Sequence, residues 1–139
     1  MLKLTIHRDA ENDLKEIEGE DPDAADELRV LLQELKGDQD WLDRLTQHNF
    51  GSIPEEAHFN VKHWWEQQKA GNNLWRIKFW DLEEVGVQYR VIYAFFPISK
   101  NHYVLGIMPR RGKDFDYKHD DPRTQRILLA YDELRQFHR

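Results

Sequence analysis

The sequence predicts an α+β domain, and three observations carry that prediction. A short alternating strand opens the chain, two amphipathic helical stripes follow it at once, and the second half alternates β-branched and aromatic residues before one last helix. Leu2, Leu4 and Ile6 alternate with Lys3, Thr5 and His7, the period of a half-buried strand. Asp9 is placed to cap the first helix, with Leu14 and Ile17 as its apolar stripe. Asp21-Pro22 starts the second helix, where proline's missing N–H costs nothing. Ala24, Ala25, Leu28, Leu31, Leu32 and Leu35 then recur at helical spacing up to Gly37. These two helices form a hairpin.

Residues 38–73 give a weaker pattern. Trp41, Leu42 and Leu45 suggest a further helical turn, Gly51-Ser52-Ile53-Pro54 is a break, and Val61–Ala70 reads as helix. Leu74–Trp80, Val87–Phe96 and His102–Met108 then read as three strands. Glu83–Gly86 and Pro97–Asn101 supply the reversals, which gives an antiparallel meander. Asp121-Pro122 starts the C-terminal helix, with Ile127, Leu128, Ala130, Tyr131 and Leu134 on its apolar side. The order is an N-terminal strand and helical hairpin, an irregular stretch, the meander and a helix, all in one domain spanning residues 1–139.

Composition narrows the function. The chain has 40% hydrophobic residues and no cysteine, so a disulfide framework, a thiolate metal cluster and a cysteine nucleophile are excluded. The start MLKLTIHRDA has no apolar core of the kind that signals secretion, and no apolar run approaches membrane-spanning length, so the expected compartment is the cytoplasm. The net charge of −6 conceals an asymmetry. Residues 1–60 hold 6 basic and 16 acidic side chains, whereas residues 61–139 hold 14 basic and 10 acidic. Between Val85 and Lys113 there are five basic residues and no acidic one. Such a division points to a polyanion-binding face in the second half, or to an acidic helical half docked near a basic sheet.

The candidate site residues follow from that face. Arg76 and Lys78 lie on the polar side of one strand, and strands paired in sequence bring Arg90 to the same rim. Arg110, Arg111 and Lys113, with Tyr117 and His119, fall on the connection between the last strand and the last helix. Cations crowded on one face repel unless an anion lies among them, and guanidinium forks match phosphate oxygens. Metal-independent RNA cleavage needs a base for the 2′-hydroxyl, an acid for the leaving 5′-oxygen and cations around phosphorus. Arginines suit the last role. His119 and Tyr117 are candidates for proton transfer, although Tyr117 is equally able to pack as a core cap. Asp114, Asp116, Asp120 and Asp121 are interleaved with Lys113 and Lys118, which argues against a metal site, and no cofactor motif occurs.

The second half resembles the RelE/ParE superfamily of toxins from bacterial type II toxin–antitoxin systems. The likeness rests on Leu74-Trp75-Arg76-Ile77-Lys78-Phe79, on Gln88-Tyr89-Arg90-Val91-Ile92-Tyr93, and on Val104-Leu105-Gly106-Ile107-Met108 running into Arg110-Arg111. It implies a RelE-like microbial ribonuclease-type fold, a cognate antitoxin of helix-turn-helix type, a toxin–antitoxin hetero-oligomer, and no cofactor. RelE-like members are mRNA interferases that cut messenger in the ribosomal A site; ParE-like members inhibit DNA gyrase instead. By position, Arg90 matches the arginine of the middle strand, Arg76 and Lys78 the basic pair before it, and Arg111 and Tyr117 the arginine and tyrosine after the last strand. That set tilts the expectation toward an endoribonuclease, with Arg90, Arg111, Tyr117 and His119 catalytic and Arg76, Lys78, Arg110 and Lys113 binding substrate. A ParE-like gyrase inhibitor and a non-toxic binding protein of the same fold are the alternatives.

Overall fold

A computed structural model describes residues 1–109 and 121–138 and has the α+β architecture expected of the sequence. Strand β1 (Lys3–Ile6) leads into helices α1 (Arg8–Glu20) and α2 (Pro22–Lys36), followed by a short α3 (Gln39–Arg44). Strand β2 (Phe59–His63), helix α4 (Trp65–Lys69), strand β3 (Leu74–Phe79) and helix α5 (Trp80–Glu84) come next. Strands β4 (Tyr89–Phe96) and β5 (Asn101–Pro109) and helix α6 (Pro122–Phe137) complete the chain. Among the described residues no helix is long and apolar enough to cross a membrane.

The meander is present, but it is part of a larger sheet in the order β1-β5-β4-β3-β2. β3, β4 and β5 pair antiparallel in sequence, and β1 pairs parallel with the first half of β5. Two readings of the sequence are corrected. Val61–Ala70 is not one helix: its start belongs to β2, which pairs antiparallel with β3, and only Trp65–Lys69 is helical. Phe59 and Val61 face inward while Asn60 and Lys62 face the other way, so a period of two governs there. The first helix is capped by His7 rather than Asp9; its Nδ1 accepts from the Asp9 backbone N–H at 3.0 Å. Asp9 then sits in the first turn, where a carboxylate suits the helix dipole.

Each face of the sheet carries its own core. Leu14, Leu28 and Leu32 of the hairpin pack on Val61, Ile77, Val91 and Tyr93. On the other face, Ile127, Ala130 and Tyr131 of α6 pack on Leu74, Ile92, Leu105 and Met108. Gly106 lets α6 approach, since a Cβ there would lie 2.8 Å from Ile127 Cδ1. Tyr131 fixes the helix further along by accepting from the Asn73 N–H at 3.0 Å. The acidic hairpin and α6 therefore lie on opposite sides of the sheet.

One buried polar residue gives the fold a pH dependence. His102 is 1% exposed against Phe95, with ring centroids 4.5 Å apart, and neither ring nitrogen has a hydrogen-bond partner among the described residues. Burial, only partly offset by the nearby Leu42 backbone, pushes its pKa down to about 4. Between the ordinary value of 6.5 and about 4, the unfolded chain binds a proton that the folded chain refuses. Stability is therefore full above pH 6.5 and is expected to fall by about 3 kcal/mol as pH drops to 4. Urea titrations of wild type and His102→Leu across this range check it. The variant should lose less stability on acidification, and identical pH slopes would contradict the assignment.

Candidate nucleic-acid interface

Strand register assembles the site. Asn60 lies opposite Lys78 across β2 and β3, and Lys62 lies opposite Arg76. Arg76 in turn pairs with Ile92 and Ile77 with Val91, so the next step along β3 brings Lys78 level with Arg90 on β4. Opposed residues share a face. Asn60, Lys62, Arg76, Lys78 and Arg90 accordingly line one polar cleft of about 200 Å³. It lies on the α6 side of the sheet, beyond the apolar patch that the helix covers.

The β2 wall of this cleft is an edge strand whose free side is partly paired by the preceding turn. Asn49 N–H donates to Val61 O at 2.8 Å, Val61 N–H to Phe50 O at 2.9 Å, and His63 N–H to His48 Nδ1 at 3.1 Å. Asn60 donates to Phe50 O at 3.0 Å from the cleft side. Gly51 makes this closeness possible: its φ is 71°, and a Cβ would fall 1.8 Å from Phe59 O. The segment thus covers part of a sheet edge that would otherwise be open.

The cations are not equivalent. Lys62, Arg76 and Lys78 are half-buried, whereas Arg90 is 2% exposed. The Arg90 guanidinium donates to the Glu83 carboxylate on α5 and to Tyr89 O, the latter at 3.1 Å. A guanidinium so buried needs such a partner. Lys78 lays its ammonium over the Trp80 ring at 4.4 Å from the centroid, and Trp80 donates to Gly51 O at 2.9 Å. α5 thus props the floor of the cleft from one end.

An aromatic cluster lies along β2 on the other face of the sheet, where His63 opposes Trp75. The His48 and His63 rings stack with centroids 4.7 Å apart at 13°. Trp65 lies 4.6 Å from His63 and 5.4 Å from His48, and Trp75 backs His63 at 4.1 Å. Burial, then Lys62, then Arg76 lower the pKa of His48; burial and His48 lower that of His63. Both rings are therefore held toward the neutral form, and the cleft's cations reach the cluster electrostatically.

Of the residues singled out in the sequence, Arg76, Lys78 and Arg90 come together in the cleft. Arg110, Arg111, Lys113, Tyr117 and His119 lie outside the described residues. Asp121 caps α6, accepting from the Arg123 N–H at 2.8 Å. Asn60, Lys62, His48 and Glu83 were missed. The first two are legible in the Phe59-Asn60-Val61-Lys62-His63 alternation, which the helix-favouring run after it obscures. Nothing in the sequence pairs Glu83 with Arg90 or His48 with His63, because those contacts depend on the register and on the turn before β2. Compared with known protein families, curated proteins and solved structures, the chain matches none.

Proposed function

We propose that this chain is a RelE-like toxin of a type II toxin–antitoxin pair, a metal-independent endoribonuclease acting on translated messenger in the cytoplasm. The observation that carries the reading is the cleft, where Lys62, Arg76, Lys78 and Arg90 gather on the sheet face turned away from the acidic hairpin. Such a floor suits the phosphates of a single strand, whose backbone contacts position it without reading sequence. Asn60 supplies a polar wall of the same cleft. Arg111, Tyr117 and His119 follow β5 in the sequence, and under this reading they take the charge-stabilising and proton-transfer roles. An antitoxin of helix-turn-helix type would inhibit by laying an acidic or amphipathic segment over the cleft.

A second reading has its own support. Arg90 is buried and held by Glu83, so its guanidinium is already engaged where a phosphate would need it. That arrangement favours a cleft that binds without cutting, as in a ParE-like gyrase inhibitor or a non-toxic member of the fold.

Expression without a partner separates these readings. Growth arrest is expected, with messengers cut to fragments ending in 2′,3′-cyclic phosphate and starting in 5′-hydroxyl, the products of attack by the RNA's own 2′-hydroxyl. Arrest with intact messenger and relaxed or broken DNA would move the assignment to gyrase. Undisturbed growth despite folded protein would remove both toxin readings.

A further inference from the structure

Between α2 and α5, on the hairpin side of the sheet, lies an open groove of about 470 Å³. Ala24, Leu82, Val85 and Val87 supply its apolar lining, and Val85 is 71% exposed at the end of α5. A narrower recess lined by Leu31, Leu35 and Phe79 follows one turn further along α2. Phe79 directly precedes α5, so the two stretches share both walls. Together they follow α2 from Asp23 to Glu34, which is roughly 16 Å, or about three turns of helix. An apolar lining open to solvent along such a length gains from being covered.

The charges around the groove are all of one sign. Asp21, Asp23, Glu27 and Asp81 rim the wide stretch and Glu34 the narrow one, and among the described residues no lysine or arginine lines either. Asp21 is engaged as the cap of α2. Asp23, Glu27, Glu34 and Asp81 form no ion pair among the described residues. Rim and lining together select the occupant. Carboxylates so gathered turn away nucleic acid and anionic lipid headgroups, and equally the acidic hairpin of a second copy. A small organic cation would use the rim and leave the apolar lining bare. A segment with an apolar stripe flanked by lysine and arginine uses both.

We infer that the α2–α5 groove docks a basic amphipathic helical segment of a protein partner. The segment lays its apolar stripe on Leu82, Val85 and Val87 and sets its cations against Asp23, Glu27 and Asp81. The groove lies on the opposite side of the sheet from the cationic cleft and takes a segment of the opposite charge. Its occupancy is therefore independent of whether the cleft binds RNA.

The test uses two labelled peptides of about sixteen residues, long enough to follow the groove as a helix. Both contain only leucine and lysine in the same proportion. In one, leucine recurs at i, i+3, i+4 and i+7 to make a stripe; in the other the order is scrambled. Anisotropy at low salt should show wild type binding the striped peptide about tenfold more tightly. Glu27→Gln with Asp81→Asn should weaken that binding roughly fivefold, a difference that high salt erases. Val85→Asp separates docking from bare charge attraction, because it adds a carboxylate while removing an exposed part of the apolar wall. Docking predicts binding about tenfold weaker in this variant. Unchanged or tighter binding there, or equal binding of the two peptides by wild type, overturns the groove. The Lys62→Gln, Arg76→Gln variant, altered only in the cleft, should bind the striped peptide as wild type does. A loss in that variant would put the peptide on the other face and overturn the proposal.

Discussion

Replacing Lys62 and Arg76 together by glutamine is expected to weaken binding of a twelve-nucleotide 2′-O-methyl oligouridylate, which its own 2′-hydroxyl cannot cut, by about 10²-fold at low salt. The two side chains face each other across β2 and β3 on the cleft side, so one phosphate-bearing strand can meet both. A hydrogen bond to a charged group contributes about 1.5–3 kcal/mol, and losing two such contacts gives at least that factor. Glutamine keeps a polar tip and much of the stem that packs on the sheet, so the fold should be retained. Fluorescence anisotropy with labelled probe reads the affinity, and circular dichroism on the same sample reads the fold. A loss below threefold in a folded variant would place the RNA elsewhere.

The second large effect is on the scaffold. Asp13 of α1 is buried, and its carboxylate accepts from Ile107 N–H at 2.9 Å and from both terminal nitrogens of Arg126 at 2.9 and 2.7 Å. β1 pairs with β5 only as far as Val104, so the Ile107 N–H lies on a β5 edge that β1 does not reach. Asp13 therefore joins the hairpin, the sheet and α6 through one carboxylate. Asp13→Ala should cost about 3 kcal/mol, the low end for breaking a buried ion pair because Arg126 keeps some solvent contact. In a chain of 139 residues that lowers Tm by roughly 10 °C. Asp13→Asn, which still accepts from Ile107 N–H, should recover part of the loss. A calorimetric change below about 1 kcal/mol in Asp13→Ala would show that packing alone holds α6 in place.

How far the sequence discloses this molecule depends on the range of the interaction. The hairpin stripe, the capping aspartates before Pro22 and Pro122, and the alternation of Trp75, Ile77 and Phe79 against Arg76 and Lys78 are local patterns, and each is found where the sequence puts it. β2 is obscured because only five residues carry its alternation before a short helix begins. The gathering of Arg76, Lys78 and Arg90 is legible once the strands are paired in order. Lys62 joins them only when β2 is recognised as a fourth antiparallel strand. The burial of Arg90 against Glu83 is not legible. An arginine in a strand reads as a solvent-facing charge unless the neighbouring helix that seals it is known. The same holds for His48, which a turn outside any regular element brings onto β2.

The cleft's role is tested most directly by the salt dependence of RNA binding. Each phosphate neutralised by a protein cation steepens the plot of log affinity against log salt, by about 0.7 for a single strand. The Lys62→Gln, Arg76→Gln variant should give a line shallower than that of wild type by about 1.4, at roughly 0.7 for each of two lost contacts. Parallel lines for the two proteins would mean that neither side chain touches a phosphate, and would contradict the assignment of the cleft as the RNA site.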